Sequence, residues 1–279
     1  MEELSRHRVF NGTVTNYQHE SQTTQTPMSF SAFVPDHEQG TTLPSLLFLS
    51  GLTCTDQNFM NKAGAFKTAA ALGVAIICPD TSPRGLDLPE EHDSWDFGSG
   101  AGFYLDAKQK PWDQNYKMYS YITNEFLTLI KGHLPVDPDK LGICGHSMGG
   151  MGALIIGLRN PKLFKSISAF SPICSPIKCP WGRKAFTKYL GTEETSWLAY
   201  DPSHLLSITE YQGNILVDQG TADQFLQEQL KPELLQQSAK KYGRSLTLRM
   251  QKDYDHSYYF ISTFIGDHLT FHHEILTSN

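Results

Sequence analysis

The chain has 279 residues, of which 39% are hydrophobic, 11% aromatic and 19% charged, an ordinary composition for a globular protein. Its formal net charge of −6 at pH 7 argues against a nucleic-acid partner, because phosphate binding requires a basic surface. The first residues form no apolar run of the kind that a signal peptide needs, and no stretch approaches the roughly 18 apolar residues that cross a bilayer.

Strand-like and helix-like segments alternate along most of the chain. Residues 9–17 and 28–34 alternate apolar and polar side chains, which predicts two antiparallel strands. Further strands are predicted from short apolar runs at residues 46–49, 74–79, 141–144, 166–170, 215–218 and 246–250. Helices are predicted from apolar spacing and end signals at residues 61–72, 118–133, 148–159, 225–242 and 258–276.

This order of elements predicts an α/β fold. Strands separated by helices require parallel crossover connections, hence a mostly parallel, doubly wound sheet with antiparallel N-terminal strands. Residues 80–117 and 171–214 carry little periodicity, and loops of such length in a compact domain are usually functional. No repeat or linker interrupts the chain, so residues 1–279 are predicted to form a single domain.

The cysteine pattern favours a reducing compartment. Five cysteines cannot all pair, and Cys78 and Cys144 lie in apolar, strand-like runs. Reduced thiols in a cytoplasmic protein are therefore expected. The spacing of Cys174 and Cys179 fits no common zinc signature, and no metal site is predicted.

The motif Gly145-x-Ser147-x-Gly149 lies between a predicted strand and a predicted helix. This is the arrangement of a nucleophile elbow, a tight turn that lifts a serine hydroxyl above the sheet. The flanking positions must be glycine because the turn is so tight that side chains there would clash. A chance match is the alternative, since the chain holds 22 glycines, but the strand before and the helix after argue against it. The motif predicts a serine hydrolase of the α/β-hydrolase fold, with Ser147 as the nucleophile.

A serine nucleophile needs a base and an orienting carboxylate, which this fold supplies on later loops in the order Ser, Asp or Glu, His. Asp223 is favoured as the carboxylate because it lies in the loop after the strand at 215–218; Asp218, at the end of that strand, is the competitor, and a helix cap is the structural alternative for Asp223. His256 is the single histidine in the loop after the next strand and is the predicted base. Solvated surface positions are expected for the histidines of the last predicted helix, namely His268, His272 and His273.

The tetrahedral intermediate of such a reaction needs backbone N–H donors. One is predicted at Met148, directly after the nucleophile, and the other at Leu52 in the loop 50–55. A plain strand-to-helix connection is the alternative for that loop. Cys54, in the same loop, is a rival nucleophile, but it has no elbow and no adjacent base in the sequence, so a bystander thiol is expected.

Several longer strings resemble the S-formylglutathione hydrolase family, also called the esterase D family. They are SGLTCT at 50–55, DSWDFG at 93–98, GFY at 102–104, GHSMGG at 145–150, DQG at 218–220, DQFL at 223–226 and YDHSYYF at 254–260. The resemblance runs over essentially the whole chain and is far more specific than the elbow alone.

The resemblance implies hydrolysis of S-formylglutathione to formate and glutathione, the second step of glutathione-dependent formaldehyde detoxification. It also implies a cytoplasmic, usually dimeric enzyme that needs no cofactor and has side activity on short acyl esters. Residue by residue, it places the family's triad at Ser147, Asp223 and His256, its oxyanion donors at Leu52 and Met148, and its near-site cysteine at Cys54.

Three further residues are expected near the site: His146, Gln224 and Trp181. Trp181 could equally pack in the core as form a pocket wall. A general short-chain carboxylesterase, an acyltransferase of the same fold and a non-catalytic binding relative are the alternatives to the implied activity.

Overall fold

Nine strands form one mixed sheet in the computed structural model of the protein, which describes residues 1–278. The strands are β1 (Glu2–Arg8), β2 (Gly12–Glu20), β3 (Pro27–Pro35), β4 (Leu43–Leu49), β5 (Ala75–Pro79), β6 (Val136–Gly145), β7 (Ser166–Phe170), β8 (Ile215–Gly220) and β9 (Leu246–Gln251). Their spatial order is β1-β2-β3-β5-β4-β6-β7-β8-β9. Pairs from β1 to β3, and β3 with β5, are antiparallel, whereas all later neighbours are parallel. The predicted α/β-hydrolase architecture is confirmed.

The edge strand β1 was not predicted from the sequence. Its residues, EELSRHR, show no apolar alternation, and nearly all of them are exposed. The strand forms because its backbone pairs with β2, while its charged side chains face water. Charges on an edge strand also discourage pairing with other chains.

The helices surround the sheet and connect its strands. The α-helical segments are α1 (Gln57–Lys62), α2 (Phe66–Leu72), α3 (Met118–Ser120), α4 (Leu127–His133), α5 (Met148–Arg159), α6 (Pro180–Leu190), α7 (Pro202–Leu205), α8 (Pro232–Tyr242) and α9 (Tyr258–Thr277). A π-helical segment, Tyr121–Phe126, joins α3 to α4, and another, Leu226–Leu230, precedes α8. No helix among residues 1–278 is long and apolar enough to cross a membrane.

Two predicted helices are interrupted. The predicted helix 61–72 is instead α1 followed by α2, with a break at Gly64, whose φ of +66° is not helical. The predicted helix 225–242 is broken at Lys231, whose φ is +51°. Pro232 then begins α8, because a proline is tolerated in the first turn of a helix but disrupts a helix interior, where it lacks the N–H donor.

Two apolar clusters cover the two faces of the sheet. Consecutive residues of β4 alternate between them: Leu47 and Leu49 belong to the cluster beneath α5, and Leu46 and Phe48 to the cluster beneath α9. This alternation follows from the two-residue repeat of a strand. Because both faces are covered by helices, polar groups that react with a ligand are confined to the loops at the ends of the strands.

The expectation that His268 and His272 are solvated was wrong, because both are fully buried on the face of α9 that packs on the sheet. Two serines of β7 form hydrogen bonds with the buried ring nitrogens. Ser166 Oγ lies 2.6 Å from His272 Nδ1, and Ser168 Oγ lies 2.7 Å from His272 Nε2. Ser168 Oγ also lies 2.9 Å from His268 Nδ1. The neighbouring His273 is half-buried.

Candidate active site

Ser147 occupies a strained turn between β6 and α5. Its φ of 58° and ψ of −120° lie in a region that side chains other than glycine rarely adopt. A Cβ added at Gly145 would lie 2.2 Å from the carbonyl oxygen of Gly149, and one added at Gly149 would lie 2.0 Å from that of Leu49. The glycines predicted to flank the serine are therefore sterically required. Such strain is held by surrounding structure and is common at reactive residues.

The elbow is fixed to its neighbours in the sheet. Ser147 N–H donates to the carbonyl of Phe170, at the end of β7, at 2.9 Å. The N–H of His146 donates to Leu49, at the end of β4, at 3.0 Å. These bonds hold Ser147 at the edge where the parallel strands end, and the serine lines a cavity of about 280 Å³ there.

Asp223 and His256 meet at the same edge, from the loops after β8 and β9. His256 Nδ1 lies 2.5 Å from Asp223 Oδ2, with the Asp223 side chain fully buried and the His256 side chain 12% exposed. The N–H of Phe225 donates to Asp223 Oδ1 at 2.9 Å, and Gln219 Nε2 donates to Oδ2 at 3.2 Å. Burial raises the pKa of Asp223, but the hydrogen bond and the charge of His256 lower it. The pKa of Asp223 therefore lies below its ordinary value. His256 lines the cavity that Ser147 lines.

The competing carboxylate, Asp218, is engaged elsewhere. Arg249 binds it in a bidentate pair, Nε to Oδ1 at 2.6 Å and Nη2 to Oδ2 at 2.5 Å. His268 Nε2 lies 3.3 Å from the same Oδ2. Asp218 thus joins β8 to β9 and α9, and it does not line the cavity.

The loop 50–55 lies directly against the elbow. A Cβ added at Gly51 would lie 3.2 Å from both Ser147 Cβ and the His146 carbonyl oxygen. Thr53 N–H donates to Gly100 at 2.9 Å, which holds the loop against the long segment after β5. Among residues 1–278 no acceptor takes the N–H of Leu52, and Met148, as the first residue of α5, has no partner within the helix. Both N–H groups are therefore available to an oxyanion.

Aromatic side chains form one wall of the cavity. The Trp181 ring centroid lies 4.7 Å from that of Phe225 and 5.4 Å from that of Trp95, and Phe225 lies 5.0 Å from the ring of His256. Trp181 is only 6% exposed yet lines the cavity, so it serves both as packing and as pocket wall. Trp95 comes from the long segment 80–117.

Of the other residues expected near the site, His146 lines the cavity and Gln224 does not. The His146 ring centroid lies 4.5 Å from that of His256, and its buried Nε2 has no partner among residues 1–278. Burial lowers the pKa of His146 well below its usual value, and the charge of His256 adds to this. Gln224 is exposed beside Asp223.

Cys54 lines the cavity, but its environment disfavours the reactive thiolate. Burial raises the pKa of its thiol, and the opposing contributions, among them Tyr258 and Lys62, are smaller. A neutral thiol is a poor nucleophile. The raised pKa of the thiol therefore favours Ser147 over Cys54 as the nucleophile.

The lining residues that sequence reasoning did not single out include Asn58, Lys62 and Tyr258. Asn58 and Lys62 are four residues apart on α1 and so share one helix face. Only the docking of α1 beside the elbow brings that face to the cavity. Tyr258, the first residue of α9, lies in the YDHSYYF string, which was the available signal.

A second serine–histidine pair in the structure, Ser168 with His272, is unsuited to catalysis. Both residues are fully buried between β7 and α9, and neither lines the cavity. Burial also holds the pKa of His272 well below its usual value. The pair is a structural contact that satisfies polar groups in the core.

Comparison with known proteins agrees with this geometry. A family model described as "Putative esterase" matches residues 21–271. The S-formylglutathione hydrolase of Rattus norvegicus is 45% identical over 280 residues, covering 100% of this chain and 99% of that protein. The protein of the same name from Mus musculus is 46% identical over 282 residues, with the same coverage.

Solved structures give the same result. That of an S-formylglutathione hydrolase from Agrobacterium tumefaciens has a TM-score of 0.96 and 45% identity, and the match covers 99% of this chain and 100% of that one. A ferulic acid esterase, with a TM-score of 0.74 and 19% identity over 95% of this chain and 100% of that one, shares the fold.

Proposed function

The chain belongs to the putative esterase family, and we propose that it hydrolyses S-formylglutathione to formate and glutathione, with Ser147 as its nucleophile. The resemblance to S-formylglutathione hydrolases is confirmed, and the chain is a hydrolase. One observation carries the proposed mechanism. A buried carboxylate–imidazole pair, Asp223 with His256, reaches the cavity in which Ser147 stands on its strained elbow.

In the first half-reaction, His256 takes the proton of Ser147 as Oγ attacks the formyl carbon. Asp223 holds the imidazole in the tautomer with its proton on Nδ1 and stabilises the imidazolium that forms. The N–H groups of Leu52 and Met148 donate to the oxyanion of the tetrahedral intermediate. The C–S bond then breaks, and the glutathione sulfur leaves with the proton from His256.

In the second half-reaction, water replaces glutathione. His256 takes a proton from the water molecule as its oxygen attacks the formyl-serine ester. The second tetrahedral intermediate uses the same N–H donors, and its collapse returns the proton to Ser147 Oγ and releases formic acid, which ionises in water. Side chains, backbone N–H groups and water carry every step, so the proposal requires no cofactor.

The size of the cavity supports a preference for small acyl groups. At about 280 Å³ it lies just below the usual range for ligand pockets, about 300–1,000 Å³. Trp181 and Phe225, both partly or fully buried, leave little room for a long acyl chain. We therefore expect side activity on short acyl esters and poor activity on long ones.

The biological setting is also part of the proposal. All five cysteines are free, as expected in a reducing compartment, and glutathione is the thiol of such compartments. We place the protein in the cytoplasm as a homodimer acting in glutathione-dependent formaldehyde detoxification. Size-exclusion chromatography with light scattering tests the dimer directly.

The central experiment compares kcat/KM for S-formylglutathione with kcat/KM for 4-nitrophenyl acetate. We expect the thioester to be preferred and Ser147→Ala to lose several orders of magnitude in kcat on both substrates. A clear preference for the aryl ester would indicate a general carboxylesterase instead. Product formation that requires an added acyl acceptor would indicate an acyltransferase, and full activity of Ser147→Ala would reject the mechanism.

A further inference from the structure

A second cavity, of about 510 Å³, borders the catalytic cavity on the side of α9. Its walls are Lys62, Ser257, Tyr258, Tyr259 and Ser262, and we call it the α9 pocket. Three of these residues, Lys62, Ser257 and Tyr258, also line the catalytic cavity. A ligand bound at Ser147 can therefore extend past Lys62 into the α9 pocket and remain in contact with the protein along its length.

The proposed substrate needs this additional space. The catalytic cavity, about 280 Å³, can hold a formyl thioester but is small for a tripeptide as well. Trp181 and Phe225 line the catalytic cavity but not the α9 pocket, so the aromatic wall leaves that pocket free. Tyr259, which is 83% exposed, forms an open apolar wall of the α9 pocket that the peptide chain can cover.

Lys62 gives the α9 pocket a positive charge. It is the only lysine or arginine that lines either cavity within the described part of the chain. Its ammonium lies 5.8 Å from the centroid of the Tyr258 ring. No carboxylate in residues 1–278 forms an ion pair with it, whereas Arg84 and Lys184 are paired with Asp80 and Asp96.

We infer that Lys62 binds the glycyl carboxylate of the glutathione leaving group, whose peptide chain occupies the α9 pocket. The inference rests on the proposed function. Glutathione has two carboxylates, but that of its glutamyl end stands beside an ammonium group, which would be repelled by a lysine. The glycyl carboxylate carries an uncompensated negative charge. On a chain whose net charge of −6 repels anions, a local ammonium offsets that repulsion at the site.

The test removes each partner of this ion pair in turn. Lys62→Gln is assayed with S-formylglutathione and with its glycine ethyl ester, in which the glycyl carboxylate is neutral, and 4-nitrophenyl acetate serves as an uncharged reference. We expect Lys62→Gln to raise KM for S-formylglutathione about two- to five-fold with little change in kcat, the size of an ion pair made by an exposed lysine. For the wild type, KM for the ethyl ester should exceed KM for S-formylglutathione by a similar factor. For Lys62→Gln, the two substrates should have similar KM values, because the ion pair is already absent. Lys62→Arg should restore most of the lost affinity.

Lys67→Gln is the matched control. Lys67 is an exposed lysine of α2 that lines neither cavity, so its removal changes the net charge equally without touching the α9 pocket. An unchanged KM in Lys62→Gln, an equal loss on 4-nitrophenyl acetate, or losses that multiply in the combined test would each overturn the role of Lys62. Those outcomes leave the proposed function standing if the wild type still prefers S-formylglutathione. A wild type without activity on S-formylglutathione would reject the proposed function and this inference together.

Discussion

His256 Nδ1 lies 2.5 Å from Asp223 Oδ2, although the two residues are 33 positions apart in the chain. The contact depends on β8 and β9, which are parallel neighbours and therefore deliver their following loops to the same edge of the sheet. The Asp223 side chain is fully buried, so its charge needs hydrogen-bond partners in place of water. The imidazole of His256 and the N–H of Phe225 provide them. The pair is thus built into the folded chain before any substrate arrives.

Asp223→Asn should preserve the shape of the pair but lower kcat by about 10³- to 10⁴-fold, because an amide can favour the wrong imidazole tautomer. The measurement is kcat for 4-nitrophenyl acetate and S-formylglutathione at neutral pH. Asp218→Asn is the matched control, since that carboxylate binds Arg249 and His268. Asp218→Asn should lower the free energy of unfolding by about 1–3 kcal/mol, because Asp218 is buried but its partner Arg249 is partly exposed. It should leave kcat within a few-fold of the wild type. A larger kcat loss in Asp218→Asn than in Asp223→Asn would assign the roles the other way.

The sequence was most informative where local backbone geometry and chain order decide the structure. The elbow could be predicted because Gly145 and Gly149 are required by contacts within a few residues and with one adjacent strand. The positions of Asp223 and His256 followed from the order in which parallel strands present their loops. The positions of these two residues depend on the order of the strands rather than on side-chain packing. That order was apparent from the alternation of predicted strands and helices along the sequence.

The rest of the site depends on packing that the sequence does not encode locally. The burial of His268 and His272 required knowing that α9 packs on the face of β7 that carries Ser166 and Ser168. A histidine pair on a helix is equally compatible with a solvated face until those partners are known. Likewise, Lys62 reaches the cavity only because α1 is separated from α2 and docks beside the elbow.

Gly149→Ala should disrupt the elbow, because the new Cβ would lie 2.0 Å from the backbone oxygen of Leu49 and neither atom can move freely. We expect a loss of at least about 1–3 kcal/mol in the free energy of unfolding, as for overpacked cores, and a marked loss of kcat. Urea denaturation followed by circular dichroism measures the stability. Gly132→Ala is the control: a Cβ there meets nothing within 4 Å, and in α4 the alanine should stabilise by about 0.5–1 kcal/mol. Equal stabilities of the two variants would contradict the steric argument.

Stability should fall as the pH decreases below about 6.5, because the buried histidines are neutral in the folded state. Burial lowers the pKa of His272, His268 and His146, so the unfolded chain binds protons that the folded chain does not. Each such group destabilises the fold by up to about 1.4 kcal/mol per pH unit, from the unfolded pKa of about 6.5 down to its folded pKa. Asp223, whose folded pKa is lowered, adds a further loss only at more acidic pH.

Urea unfolding at pH 5.5, 6.5 and 7.5 measures this slope. His272→Gln should reduce the dependence on pH, because it removes one of the buried rings whose pKa is lowered. Stability that rises on acidification from pH 7.5 to 5.5 would mean that these rings are charged in the folded protein.

Cys54→Ser should retain activity within a few-fold of the wild type, because the serine elbow, and not this thiol, supplies the nucleophile. Since burial raises the pKa of Cys54, iodoacetamide should react slowly at neutral pH and faster as the pH approaches 9, where more thiolate forms. Because the thiol lines the same cavity as Ser147, alkylation should inhibit the wild type by blocking the site, and Cys54→Ser should resist the reagent. Loss of several orders of magnitude in Cys54→Ser, with Ser147→Ala still active, would make the cysteine the nucleophile. Full resistance of the wild type to alkylation at pH 9 would instead show that the thiol is not accessible from the cavity.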